Sequence, residues 1–240
     1  MTGDKRSASR HCFLNGPAIR SGRTGIDGSA PVELERDLRS IRQLNRWFGS
    51  YRVVRHFVRR WIRPGARMRI IDLATGSGDI PRLIVDHARK IAAEVEIDAV
   101  DKQSATLEIA RGLSGGYPEI SYVEENILQL KPSHRYDIVL CSLVLHHFSE
   151  EDAVCVLRHC RELAHKFVLV SDLRRGSLTT IGVKVLTALI FRAPMTRYDA
   201  RLSAARAFSF KELDKLARQA GWQNFGHKKF RFARQAAWIE

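Results

Sequence analysis

The chain has 240 residues, 45% of them apolar and 8% aromatic, which suits one large α/β domain with appendages rather than two full domains. No run of 18 uncharged apolar residues occurs, so no membrane-spanning helix is expected. The net charge of +14 is uneven: residues 70–172 hold 10 Lys/Arg against 17 Asp/Glu, whereas 31–69 hold 11 against 3 and 173–240 hold 14 against 4. An acidic centre between basic flanks fits an anionic partner, whether nucleic acid, peripheral membrane surface or an anionic or carrier-borne substrate, and equally fits solvated arginine-rich helix faces. Cys12, Cys141, Cys155 and Cys160 form no CxxC pair, so reduced thiols and a cytoplasmic location are expected.

Residues 1–31 are rich in Gly, Ser and Arg without apolar periodicity, and read as a disordered leader, with an organelle transit peptide as the alternative. From Val32 the residues Leu34, Leu38, Ile41, Leu44 and Phe48, then Tyr51, Val54, Phe57, Val58 and Trp61, recur at three and four, which predicts two amphipathic helices separated at Gly49 and ended by "RPG" at 63–65. These form a helical cap over 32–64, ahead of a main domain at 65–240. Strands are expected at 68–73, 95–100, 120–124, 136–142 and 166–171, with helices at 79–90, 103–112 and 149–163. That alternation implies a Rossmann-like, mostly parallel sheet with right-handed crossovers. A helix from about Ser209 and a closing hairpin in "NFGHKKFRFARQAAWI" complete seven strands.

The stretch "IIDLATGSGDIP" sits between a strand and a helix, where Gly76 and Gly78 permit close approach of a ligand to the backbone. Asp79 stands where a pyrophosphate would sit on the helix N-terminus, so a less anionic nucleoside suits the turn better. About twenty residues on, Asp101 ends an apolar run, where a carboxylate accepts ribose hydroxyls or caps the following helix. Asn126, in "VEEN", offers an amide at the end of the third strand.

Together these residues resemble the class I S-adenosylmethionine-dependent methyltransferases, from about Arg67 onward, and within them the quinone-biosynthesis and natural-product small-molecule group. The shared motifs are "DLATGSGD", with alanine at 74 in place of the first glycine, the "VEEN" strand end, and a fourth strand followed by serine in "YDIVLCSLVLHHFSEEDA". The resemblance implies S-adenosylmethionine as cofactor, with Ala74, Thr75 and Gly76 along its methionine moiety, Asp101 at the ribose, and Asn126 with Ile127 at the adenine. Asp72, Gly78, Lys102 and Ser142 complete that donor site. The chain departs from the group in lacking the usual proline and paired glycines before the fifth strand, and in carrying His146 and His147 where quinone C-methyltransferases carry Arg-Asn.

Methyl transfer to an oxygen gains from removal of its proton, and a histidine can act as that base near neutral pH. His146 and His147 precede the capping box "SEED" at Ser149–Asp152, at the strand edge where open α/β sheets place their sites. Similar double-histidine loops in natural-product O-methyltransferases pair with an acid ending the fifth strand, which here is Asp172. No ligand spacing joins the histidines to cysteine, so no metal site is expected. Residues 173–208 are too long for a crossover and read as a lid with a helix over 178–191, its apolar side chains suiting an aromatic or lipid-like acceptor. Arg174, Arg175, Arg192 and Arg197 are positioned to hold an anion there. The reading is O-methylation of a phenolic, polyketide or quinone-like hydroxyl, with C-methylation of a quinone precursor as the alternative. An RNA methyltransferase is disfavoured because no "[DN]PP[YF]" motif and no aromatic and basic platform occurs.

Overall fold

The computed structural model describes residues 29–131, 134–176 and 206–240. Residues 1–28 of the expected leader, the lid helix over 178–191, Cys12, Arg192 and Arg197 lie outside these residues, and the leader's last three residues, 29–31, are helical rather than disordered. Helices α1 (Ser29–Trp47) and α2 (Ser50–Trp61) meet at Gly49, whose φ of +85° breaks the helical path. Then follow β1 (Arg67–Leu73), α3 (Asp79–Lys90), β2 (Glu94–Asp101), α4 (Ser104–Leu113), β3 (Ile120–Glu124), β4 (Tyr136–Ser142), a single turn at Leu145–His147, α5 (Glu150–Leu163) and β5 (Ala164–Leu173). After the undescribed stretch come α6 (Phe210–Gln219), β6 (Gly226–Phe230) and β7 (Arg234–Ile239).

The seven strands lie in the order β3-β2-β1-β4-β5-β7-β6, with β7 antiparallel to both neighbours and the rest parallel. The expected Rossmann-like sheet with an antiparallel last strand is therefore the fold. Parallel strands buried on both faces need apolar residues at nearly every position, and β4 supplies them from Ile138 to Cys141.

Two apolar layers flank the sheet. On one face Val53, Val54, Phe57, Val58 and Trp61 of α2 and Ile80, Ile84 and Val85 of α3 pack on Ile70, Ile97, Ile138 and Leu169. On the other, Val156, Leu157 and Cys160 of α5 and Leu213 and Leu216 of α6 pack on Ile71, Leu73, Val139 and Val170. In α2 five apolar residues on one stripe demand a sheet face, and the helix packs there beside α3. Only its first turn reaches the carboxyl edge of the sheet.

Helix ends follow local chemistry. The hydroxyl of Ser149 accepts the backbone N–H of Asp152 at the start of α5, and Ser209 with Glu212 forms a reciprocal capping box at the start of α6. Cys141 and Cys160 are free and buried. Cys155 is disulfide-bonded, a departure from the reduced thiols expected. Among the described residues no helix is long and apolar enough to cross a membrane.

Candidate active site

The site residues converge at the carboxyl edge of β1, β2, β3, β4 and β5, as the parallel topology requires. At the end of β1 the chain turns sharply. Ala74 has φ +58°, Gly76 +56° and Gly78 +70°, so three of five residues occupy the left-handed region that favours glycine. Gly78 has a further reason to lack a side chain, because a Cβ there would sit 2.1 Å from the Tyr122 hydroxyl, itself hydrogen-bonded to Ser114 at 2.7 Å. At Gly76 nothing lies within 4 Å of a built Cβ, so the turn is open on that side.

Two carboxylates shape the turn. Asp72 is fully buried and accepts the Thr75 hydroxyl at 2.7 Å, and burial raises its pKa to about 7 against the opposing effect of that bond. Asp101 accepts the backbone N–H of Gly76 at 2.9 Å through Oδ2 and that of Gln103 at 3.1 Å through Oδ1. Each carboxylate oxygen can accept a second donor, so Asp101 holds the glycine turn in place and still presents acceptors outward. It does not occupy the N-cap of α4, which is Gln103. Lys102 is exposed beside it. Asn126 accepts the Leu128 N–H at 3.1 Å through Oδ1, which leaves the amide nitrogen as its donor, and Ile127 is buried next to it.

Asp79 opens α3 as a first-turn acid and accepts two hydroxyls, Tyr51 at 2.6 Å and Ser77 at 3.0 Å. A carboxylate so placed repels a pyrophosphate and tolerates a cation.

The second half of the edge is built from side chains. Ser142 is buried and accepts the Ser171 hydroxyl at 3.1 Å across the β4–β5 pair. Leu143 follows with φ +58°, a strained position for a branched residue, and turns the chain into the Leu145–His147 turn. There the backbone N–H of His146 donates to Asp172 Oδ2 at 2.8 Å, and its ring Nδ1 meets Asp172 Oδ1 at 2.6 Å. Both residues are buried, with side chains 5% and 3% exposed. Burial would raise the Asp172 pKa, yet the His146 charge and hydrogen bonds more than offset it and hold the carboxyl below its usual value. An ionised Asp172 fixes the proton of His146 on Nδ1 and leaves Nε2 as the acceptor. The His147 ring lies against that of His146, tilted by 39° with centroids 4.2 Å apart. Burial, then the neighbouring imidazole, lowers its pKa to about 4.

The two arginines expected at the acceptor differ. Arg175 pairs with Glu212 of α6, whereas the Nε of Arg174 is buried without a partner among the described residues. The structure adds two residues that the sequence does not reveal. Arg234, at the start of β7, is buried and donates to the Phe48 carbonyl at 3.0 Å; burial lowers its pKa to about 10, opposed by the charge of Asp172. Tyr51 is the other, since its place in the apolar stripe of α2 reads as core. Among the described residues no group of three or more His, Cys, Asp or Glu is placed to hold a metal ion.

Residues 70–166 match the family model described as a methyltransferase domain. A search of curated proteins finds no match. Solved structures share the architecture at low identity. The magnesium protoporphyrin IX methyltransferase of Synechocystis PCC 6803 with bound SAH aligns at TM-score 0.57 and 17% identity, covering 90% of this chain and 89% of that one. A SAM-dependent methyltransferase from Aquifex aeolicus aligns at 0.60 and 14%, covering 85% and 97%. Human N-acetylserotonin methyltransferase in complex with SAM aligns at 0.62 and 15%, covering 88% of this chain, which spans only 56% of the human one. Residues 70–166 thus match a methyltransferase domain, set in a seven-stranded fold that the solved methyltransferases share.

Proposed function

We propose that the protein is a small-molecule O-methyltransferase that uses S-adenosylmethionine, with His146 as general base and Asp172 as the residue that orients it. The acceptor is a phenolic, polyketide or quinone-like hydroxyl. The observation that carries this reading is the pair of hydrogen bonds from His146 to Asp172, at 2.8 and 2.6 Å. A carboxylate that binds both the backbone and the ring of one histidine fixes its tautomer and direction, and stabilises the imidazolium that forms when a proton is taken.

The donor half fits the proposed cofactor on its own terms. The open side at Gly76, the outward acceptors of Asp101, the amide donor of Asn126 and the buried Asp72 suit a nucleoside that carries positive charge. Asp79 argues against a pyrophosphate in the same place. When bound, S-adenosylmethionine supplies an electrophilic methyl group on a sulfonium. Thr75, Gly76 and Asp101 hold the donor side, and Asn126 with Ile127 borders the base. Ser142, buried between β4 and β5, supports the floor between the two halves. His146 takes the proton of the acceptor hydroxyl, which raises the oxygen's nucleophilicity during attack. His147, kept neutral by its low pKa, packs against the base without competing for its charge. Arg174 is the arginine available to an anionic or carrier-borne acceptor, since Arg175 is held by Glu212.

The test is single-turnover transfer of labelled methyl to a panel of phenols and hydroquinones, with the product position read by mass spectrometry. A methyl ether is expected, formed about 10²- to 10⁴-fold more slowly by His146→Ala. Methylation at a ring carbon, or an unimpaired variant, overturns the assignment.

A further inference from the structure

From Asp79 and Tyr51 at the carboxyl edge, α1, α2 and α3 line a groove of about 650 Å³ that leads away along α3. Arg42 and Arg46 of α1, Arg55 and Arg59 of α2, and Arg82 and Lys90 of α3 line it. It runs the length of α3, from Asp79 to Lys90, about 17 Å at 1.5 Å per residue. We propose that this groove binds a small ligand carrying two or more phosphate groups.

Only part of the lining's charge is matched: Arg39 pairs with Glu35, and Arg82 donates to the Ser77 carbonyl and the Ser114 hydroxyl. Among the described residues no ion pair engages Arg42, Arg46, Arg55, Arg59 or Lys90. Asp79 and Asp86, the acids in the cavity, are engaged by the hydroxyls of Tyr51 and Tyr117. The outward stripe of α2 repeats the pattern, with Arg52, Arg55, His56, Arg59 and Arg60 at helical spacing and no acid in the helix. Like charges at i and i+4 destabilise a helix, and converging them in a concavity adds to that cost unless an anion neutralises it. Two polar atoms are also buried there without a partner among the described residues: Nη1 of Arg42 and Nε2 of His87. Burial lowers the His87 pKa, and Arg59 and Lys90 lower it further, so the local potential is positive. Phosphate oxygens would satisfy both atoms, and guanidinium forks match them in geometry.

The shape selects a small ligand over a polymer or a bilayer. The volume is that of a single small-molecule pocket. Tyr51 and Tyr117, the aromatic residues of the lining, have their hydroxyls tied to carboxylates. Val58 and Leu83 are its large aliphatic side chains, too few and too recessed to insert into a membrane.

Titration calorimetry with inorganic tripolyphosphate at low salt tests the proposal without reference to methyl transfer. Saturable binding is expected, weakened about tenfold or more in Arg55→Gln/Arg59→Gln and unchanged in Arg158→Gln on the exposed side of α5. The unliganded double variant should melt no lower than the wild type, because it loses repulsion. Equal affinity in the double variant, an equal loss in Arg158→Gln, or a lower melting temperature overturns the proposal. So does tighter binding of a single-stranded RNA or of phosphatidylserine vesicles with the same loss in the double variant, which would assign the groove to a polymer or a membrane.

Discussion

The two halves of the carboxyl edge are built by different means. The donor half, at β1 to β3, is mostly backbone: a glycine turn whose Gly76 N–H is caught by Asp101 and whose close packing against Tyr122 excludes a side chain at Gly78. The acceptor half, at β4, β5 and β7, is side chains brought together from distant positions, His146, Asp172 and Arg234. A backbone site tolerates variation everywhere except at its turn, whereas a side-chain site depends on each member. Rate should therefore be lost at single residues in the acceptor half, and affinity and stability in the donor half.

The sharpest break of that contrast comes from Asp172→Asn. Single-turnover methyl transfer should fall about 10²- to 10⁴-fold, and the double variant with His146→Ala should be little worse than either single one. Additive losses would show that the two act separately. Donor affinity should stay near wild type in both, measured by calorimetry.

Next in size, Asp101→Ala should weaken S-adenosylmethionine binding about 10- to 100-fold, the loss expected for hydrogen bonds to a charged group. An unchanged dissociation constant would remove the ribose assignment. Gly78→Ala should cost about 1–3 kcal/mol in denaturant unfolding, since it meets both the left-handed backbone and Tyr122. Gly76→Ala meets only the backbone and should cost about 1 kcal/mol. Equal costs would make Tyr122 irrelevant to the turn.

The smallest effect concerns Asp72. Its folded pKa of about 7 exceeds the ordinary aspartate value of 3.8, so its contribution to stability is full below about 4 and is lost as pH rises through about 7. A cationic donor favours the ionised carboxylate. Binding should therefore release a proton below pH 7 and tighten as pH rises from about 6 to 8, seen as a buffer-dependent binding enthalpy. Asp72→Asn should abolish the proton release, and a wild type that binds without releasing one would refute the linkage.

The same contrast decides what the sequence reveals. The boundary of α3 reads correctly to the residue because Gly78 and Asp79 punctuate it, and β3 and β4 read correctly because their apolar runs are bounded by charge and turn residues. The fifth strand runs longer than its apolar centre, over Ala164–Leu173, because pairing with β4 begins at Ala164 and β7 extends the far end to Leu173. No local pattern marks that. His146 with Asp172 is legible because the turn after β4 and the end of β5 lie beside each other in a parallel sheet. Arg234 looks like a solvated hairpin residue until β7 inserts antiparallel beside β5, and Tyr51 looks like core until α2 brings it to Asp79.

Ala74 has one more consequence. A left-handed alanine costs about 1–2 kcal/mol relative to an unstrained one. A glycine there would avoid that strain but add about 0.5–1 kcal/mol of chain entropy to folding. The balance, about 0.5–1 kcal/mol, favours glycine, so the alanine at position 74 is kept at a small cost in stability. In the proposed site its methyl group would offset that cost by its shape beside the donor.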